Sequence, residues 1–98
     1  MDADQFHRIN KALGDPTRFD ILERLAACDE MPCANLAEQM PVSQATISHH
    51  LKELHSAGLV EVRREAKFGF YKLKRNVWKE YLAEMTRRLN PSPKNRIS

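Results

Sequence analysis

The segment from Pro41 to Val60, PVSQATISHHLKELHSAGLV, constrains this chain more than any other, because it specifies a short helix with both ends marked. Ser43 can accept hydrogen bonds from the free N–H groups of a first turn that contains Gln44, Ala45 and Thr46. Gly58 can adopt the left-handed conformation that closes a helix, and it brings Leu59 back toward Leu54. The expected helix therefore covers residues 43 to 57. At about 100° per residue, Ile47, Leu51 and Leu54 fall in one stripe suited to a core. Ala45, Ser48, His49 and Lys52 fall opposite, with Gln44 and Thr46 at the exposed first turn. A merely solvated face would be rich in Glu and Lys. This one is small, polar and mostly uncharged, which suits a helix entering a DNA major groove, where base edges offer donors and acceptors at close range.

The segments on either side complete a recognisable arrangement. A first helix is expected from near Asp4 to Leu13, with Phe6, Ile9 and Leu13 on one side and Gly14 at its end. Asp15 followed by Pro16 signals a second helix start, with Phe19, Leu22 and Leu25/Ala26 as its buried stripe. A short third helix over Cys33 to Met40 turns through Pro41 and Val42 into the fourth, giving helix, tight turn, helix. After Gly58 the period changes to two. Val60 and Val62 alternate with Glu61 and Arg63, and Tyr71 and Leu73 alternate with Lys72 and Lys74. This predicts a β-hairpin with a basic tip, a wing on which Arg63, Arg64 and Lys67 can meet phosphates or enter a minor groove.

A fifth helix over Arg75 to Leu89 carries Val77, Trp78, Tyr81, Leu82, Met85 and Leu89 on an arc wider than a small hairpin can cover. That arc, with Phe6, Ile9 and Leu13 of the first helix, is the expected homodimer interface. The same arc could instead close the monomer's own core. The fold class is thus mainly α with a small β-hairpin: a winged helix-turn-helix of five helices, with the wing between the fourth and fifth. Residues 1–90 form one domain for DNA binding and dimerisation, and residues 91–98, PSPKNRIS, read as a flexible tail.

Charge supports the same partner. Four basic and eight acidic residues precede Ser43, whereas twelve basic and five acidic residues lie from Ser43 onward. The basic half contains the candidate reading helix and wing, a polarity that draws double-stranded DNA to one side. With Lys52, Arg63, Arg64 and Lys67 on phosphates, about 6–10 contacts per dimer, log affinity should fall against log salt with a slope near −5 to −9. At 98 residues the chain buries roughly 65% of its unfolded surface, a modest core that a dimer would help. There is no apolar run long enough for a bilayer and no secretory signal, so a cytoplasmic location without a membrane partner is expected. His49 points outward, His50 lies at the core edge and His55 sits near a helix end, none beside a nucleophile and an orienting carboxylate. No glycine-rich phosphate loop is present either, so an enzyme is not expected and no cofactor is implied.

The order of these pieces, ALGDPTRFDILERL and then NLAEQMPVSQATISHHLKELHSAGLVEVRREAKFGFYKL, resembles the ArsR/SmtB family of small winged-helix repressors over residues 5 to 89. The resemblance implies a homodimer that binds an imperfect palindrome in a promoter and leaves it when an inducer binds. It also implies that Ser43, Gln44, Thr46, Ser48 and His49 occupy the family's base-reading positions. The family's metal patterns are missing. Pro32 and Ala34 stand where many sensors carry two cysteines, and no histidine occurs between Arg75 and Asn90.

What remains is Cys28 and Cys33, too few for a tetrahedral zinc site without further ligands. As a thiol or metal switch they would make a different class of regulator, Cys33 having a thiol that a nearby helix start could acidify. As small apolar residues filling core gaps they would have no regulatory part, and this is favoured. A winged-helix module that binds an acidic protein without specific DNA binding is the other alternative. The residues identify no inducer.

Overall fold

The computed structural model describes residues 1–90 as five helices and a three-stranded antiparallel sheet; the expected tail over 91–98 lies outside the described residues. In chain order the elements are α1 (Ala3–Leu13), α2 (Pro16–Ala26), β1 (Met31–Pro32), α3 (Cys33–Gln39), α4 (Gln44–Ser56), β2 (Val60–Glu65), β3 (Phe68–Leu73) and α5 (Arg75–Leu89).

Local chemistry accounts for most helix ends. Asp2 caps α1 by accepting from the Gln5 N–H at 2.8 Å, which sets its start ahead of the expected Asp4. Asp15 caps α2 by accepting from the Arg18 N–H at 2.9 Å, with Pro16 in the first turn where a missing N–H costs nothing. Gly14 closes α1 in an ordinary right-handed conformation, so its glycine freedom is unused there.

Gly58 does use that freedom. At φ 83° it lets the Gly58 N–H bond the His55 carbonyl at 2.9 Å and the Leu59 N–H bond the Leu54 carbonyl at 3.1 Å. This pair of bonds is the Schellman closure, and it satisfies carbonyls that the end of α4 would otherwise leave free. A Cβ at position 58 would lie 2.6 Å from the Gln5 side-chain nitrogen, which donates to the Ala57 carbonyl at 3.4 Å. Gly58→Ala is therefore expected to cost about 1–2 kcal/mol, from left-handed strain and displacement of Gln5, read as a lower urea midpoint with unchanged slope.

A single apolar core joins all the helices. Ile9, Ile21, Leu25, Leu36, Ile47, Leu51, Leu54, Leu59 and Val60 are fully buried, and Leu73, Val77 and Tyr81 close the cluster from the wing and α5. Two expectations are corrected here. In α2 the expected Leu22 and Leu25 are buried together with Ile21, while Phe19 is 41% exposed and Ala26 faces outward, because the helix is rotated to pack on α4.

The second correction concerns the proposed dimer face. Phe6, Ile9, Val77 and Tyr81 are buried inside the chain's own core, α5 lying back on α1. The Tyr81 hydroxyl donates to Asn10 Oδ1, and its ring stacks on Trp78 at 5.6 Å and meets Phe6 at 5.4 Å. The arc is wide because its two sides do different things. Leu13, Trp78 and Met85 are half-buried at the edge, and Leu82 and Leu89 are exposed.

The wing also differs from a plain hairpin. β3 is central, paired with β2 from Val60↔Leu73 to Glu65↔Phe68 and with β1 through Met31↔Tyr71 and Pro32↔Phe70. The strands run closer to the tip than their alternation suggested, leaving a two-residue turn of Ala66 and Lys67. Ala66 takes φ 55°, a conformation usual for glycine or asparagine at a tight hairpin turn.

Candidate DNA interface

α4 presents the expected division of labour. Ile47, Leu51 and Leu54 are fully buried, whereas Gln44, Ala45, Thr46, Ser48, His49 and Lys52 are exposed. The cap engages part of this outer face. The Ser43 hydroxyl accepts from the Thr46 N–H at 3.1 Å and donates to the Thr46 hydroxyl at 3.0 Å. Ser43 thus closes the helix start, while among the described residues the side chains of Gln44, Ser48 and His49 make no such internal bond.

One open groove runs between the start of α4 and the wing, with Gln44 and Ser48 on one side and Arg64, Lys67, Phe68, Gly69 and Tyr71 on the other. Pro32, Cys33 and Ala34 form its end. It joins neutral donors and acceptors on a helix to two cations on a hairpin, the combination needed to hold base edges and phosphates together. Arg64 lies across Gly69, its cross-strand partner; a Cβ there would meet an Arg64 terminal nitrogen at 3.1 Å and the Tyr71 ring at 3.3 Å. The missing side chain at position 69 makes the seat for the Arg64 guanidinium.

Arg63 does not join this groove. Adjacent residues of a strand face opposite sides, and Arg63 points with Phe70 to the far face, where its guanidinium sits 4.6 Å from the Phe70 ring centroid and pairs with Glu30 and Glu65. Those carboxylates hold the Arg63 pKa well above its usual value, and Arg63 holds that of Glu30 below the ordinary carboxylate range. The period-two alternation carried this signal, since it separates Arg63 from Arg64. Glu30, Phe68 and Gly69 were missed as contributors because their roles depend on partners brought near only by the fold.

Behind the outer face of α4, His50 is buried at 8% exposure and its Nδ1 accepts from Arg18 Nε at 3.3 Å. Burial holds the imidazole pKa below its ordinary value, with Arg18 and His49 acting the same way and Asp15 and Glu53 opposing them. The folded protein therefore keeps His50 neutral, and the unfolded chain takes up a proton first, near pH 6.5. The stability it contributes is complete above that pH and is lost as pH falls through the folded value. The thermal midpoint is expected to drop between pH 7 and pH 5.5, and His50→Asn, which keeps an acceptor for Arg18 but cannot titrate, should flatten that limb.

The cysteines are free, and the acidified Cys33 thiol that the switch alternative requires is reversed. It opens α3, yet burial pushes its thiol pKa up, because a helix of seven residues without a polar cap offers little positive field against that desolvation. Cys28 Sγ lies 3.5 Å from the Arg24 carbonyl at the end of α2. Among the described residues no three His, Cys, Asp or Glu side chains are grouped to hold a metal ion. The positions matching the sensor thiolates hold Pro32 and Ala34, which offer no ligand, so that metal does not fit there. Among the described residues no helix is long and apolar enough to cross a membrane.

Known proteins carry the same architecture. Residues 13–63 match a helix-turn-helix domain family. The arsenical resistance operon repressor of Staphylococcus xylosus is 37% identical over 73 residues, 74% of this chain and 69% of that protein. The transcriptional repressor SdpR of Bacillus subtilis is 33% identical over 84 residues, covering 86% of this chain and 92% of SdpR. An ArsR-like transcriptional regulator from Rhodococcus sp. RHA1 superposes with a TM-score of 0.77 at 28% identity, over 88% of this chain and 79% of that one. The homodimeric winged helix-turn-helix DNA-binding domain of a possible ArsR-family regulator from Mycobacterium bovis gives 0.72 at 32% identity, over 85% and 77%. With its capped outward-facing α4, its wing and these relatives, the chain belongs to the ArsR/SmtB family of winged helix-turn-helix transcriptional regulators.

Proposed function

We propose that the protein is a cytoplasmic homodimeric repressor that occludes a promoter by binding a palindromic operator. Each subunit inserts α4 into a major groove, half-sites lying about one helical turn or a multiple apart. Gln44, Ser48 and His49 read base edges, Ala45 and Thr46 contribute close apolar and hydroxyl contact, and Ser43 fixes the helix start. Lys52, Arg64 and Lys67 hold phosphates. The observation that carries this reading is the shared groove: Gln44 and Ser48 face the same opening as Arg64 and Lys67. The dimer is supported by the half-buried edge of Leu13, Trp78 and Met85, which continues into exposed Leu82 and Leu89 and needs an apolar cover. A homodimer of the M. bovis domain supports the same assembly.

Selection of bound duplexes from a random pool tests both parts, since a dimer returns a palindrome and its half-site spacing together. With Arg63 engaged elsewhere, three cations per subunit remain, about six phosphate contacts per dimer. The expected salt slope is then near −5, at the shallow end of the range the sequence allows. Lys67→Ala should weaken specific and random DNA alike and reduce the slope by about 2 per dimer, one contact per subunit; an unchanged slope would remove Lys67 from the interface.

A further inference from the structure

We propose that Glu30 is a positioning residue for DNA binding, which sets the wing's attitude through Arg63. The proposal rests on the wing's assigned role at the DNA. Arg63 Nε donates to Glu30 at 3.3 Å, a terminal nitrogen donates to the other Glu30 oxygen, and the second terminal nitrogen donates to Glu65. The Phe70 ring backs the guanidinium. Every nitrogen of the side chain is thus engaged by carboxylates of its own chain, on the wing face opposite Arg64.

Glu30 immediately precedes β1, whose two residues are the only attachment of that segment to β3 among the described strand pairs. One of the two is Pro32, which has no N–H to donate, so the backbone link is thin. A bidentate Arg–carboxylate fork is directional where a Lys–carboxylate contact is not, and it spans from the end of α2 to β2. The fork therefore ties the outer part of the wing to the helical body, beyond the wing's base, which Val60 and Leu73 anchor in the core. Because the pair is solvent-exposed, it adds little to global stability; its effect is on where the wing sits.

This arrangement makes a prediction whose sign opposes simple electrostatics. Removing an acidic group beside a polyanion site ordinarily strengthens binding. With the tie cut, the wing instead loses its set position, Arg64 and Lys67 no longer meet the phosphates together, and binding weakens.

The test is fluorescence anisotropy of the full chain on its selected operator across a salt series, with thermal unfolding alongside. Glu30→Gln and Arg63→Gln should each weaken operator binding several-fold while the unfolding midpoint stays close to the parent's. The double variant should be no worse than either single change. Glu30→Asp should restore part of the affinity, whereas Arg63→Lys should not. Arg63→Gln and Glu30→Gln should change the salt slope by the same amount, since Arg63 holds no phosphate itself and both changes act only through the wing. Tighter binding by Glu30→Gln, or a slope lower by about 2 per dimer in Arg63→Gln than in Glu30→Gln, would overturn the proposal and make Arg63 a phosphate ligand. Lys67→Ala in the same series separates the two levels. If it loses affinity while Glu30→Gln gains, only the tie is wrong; if it loses nothing, the wing's part at the DNA is wrong as well.

Discussion

Leu51→Ala is expected to lower stability by about 2–5 kcal/mol, a large share of the 5–15 kcal/mol typical of a domain this size. Leu51 is fully buried midway along α4, between Ile47 and Leu54 on the one stripe that attaches the helix to the core. α4 in turn packs against α1, α2, α3 and β2, so few neighbours can close the gap without disturbing the reading face. Urea denaturation followed by circular dichroism measures the loss. Affinity for DNA, corrected for the folded fraction, should change much less than stability. A variant as stable as the parent would mean that the core collapses freely around α4, against the close packing described.

The second large effect is on specificity. Gln44→Ala combined with Ser48→Ala removes two of the side chains that line the groove. Each lost base contact costs about 1–3 kcal/mol, so losing both should weaken operator binding by about 2–6 kcal/mol per half-site. Binding to random duplex at low salt should remain, because Lys52, Arg64 and Lys67 are untouched. Competition between operator and random DNA reads the difference directly. Equal losses on both would show that these residues support the helix and do not read bases.

The reading helix was the most legible part of the chain because its signals are local. Ser43, the stripe of Ile47, Leu51 and Leu54, and Gly58 each act within a turn or two of their neighbours, and each behaves in the structure as its chemistry requires. Signals that depend on distant partners were harder to read. Met31–Pro32 is too short to show alternation and contains a proline, so a third strand was invisible until β3 supplied its mate. Phe19 looked like a core residue by type, yet Ile21 takes that place once α2 is turned against α4. The apolar arc of α5 showed width but not its division, and the Tyr81 bond to Asn10 and its ring contact with Phe6 reveal that its Val77 and Tyr81 side belongs inside the monomer. Arg63 and Arg64, neighbours in sequence, part company because a pleated strand sends them to opposite sides.

Ala57, Gly58 and Leu59 alone separate the end of α4 from the start of β2, and the Leu59 carbonyl also accepts from the Lys74 N–H at 2.7 Å. A joint that short, clamped on both flanks, behaves as a ruler: the distance between what the rod touches and what the flap touches is built in. Operators in which a base pair is added between those two points should be rejected, even when every contacted base is kept.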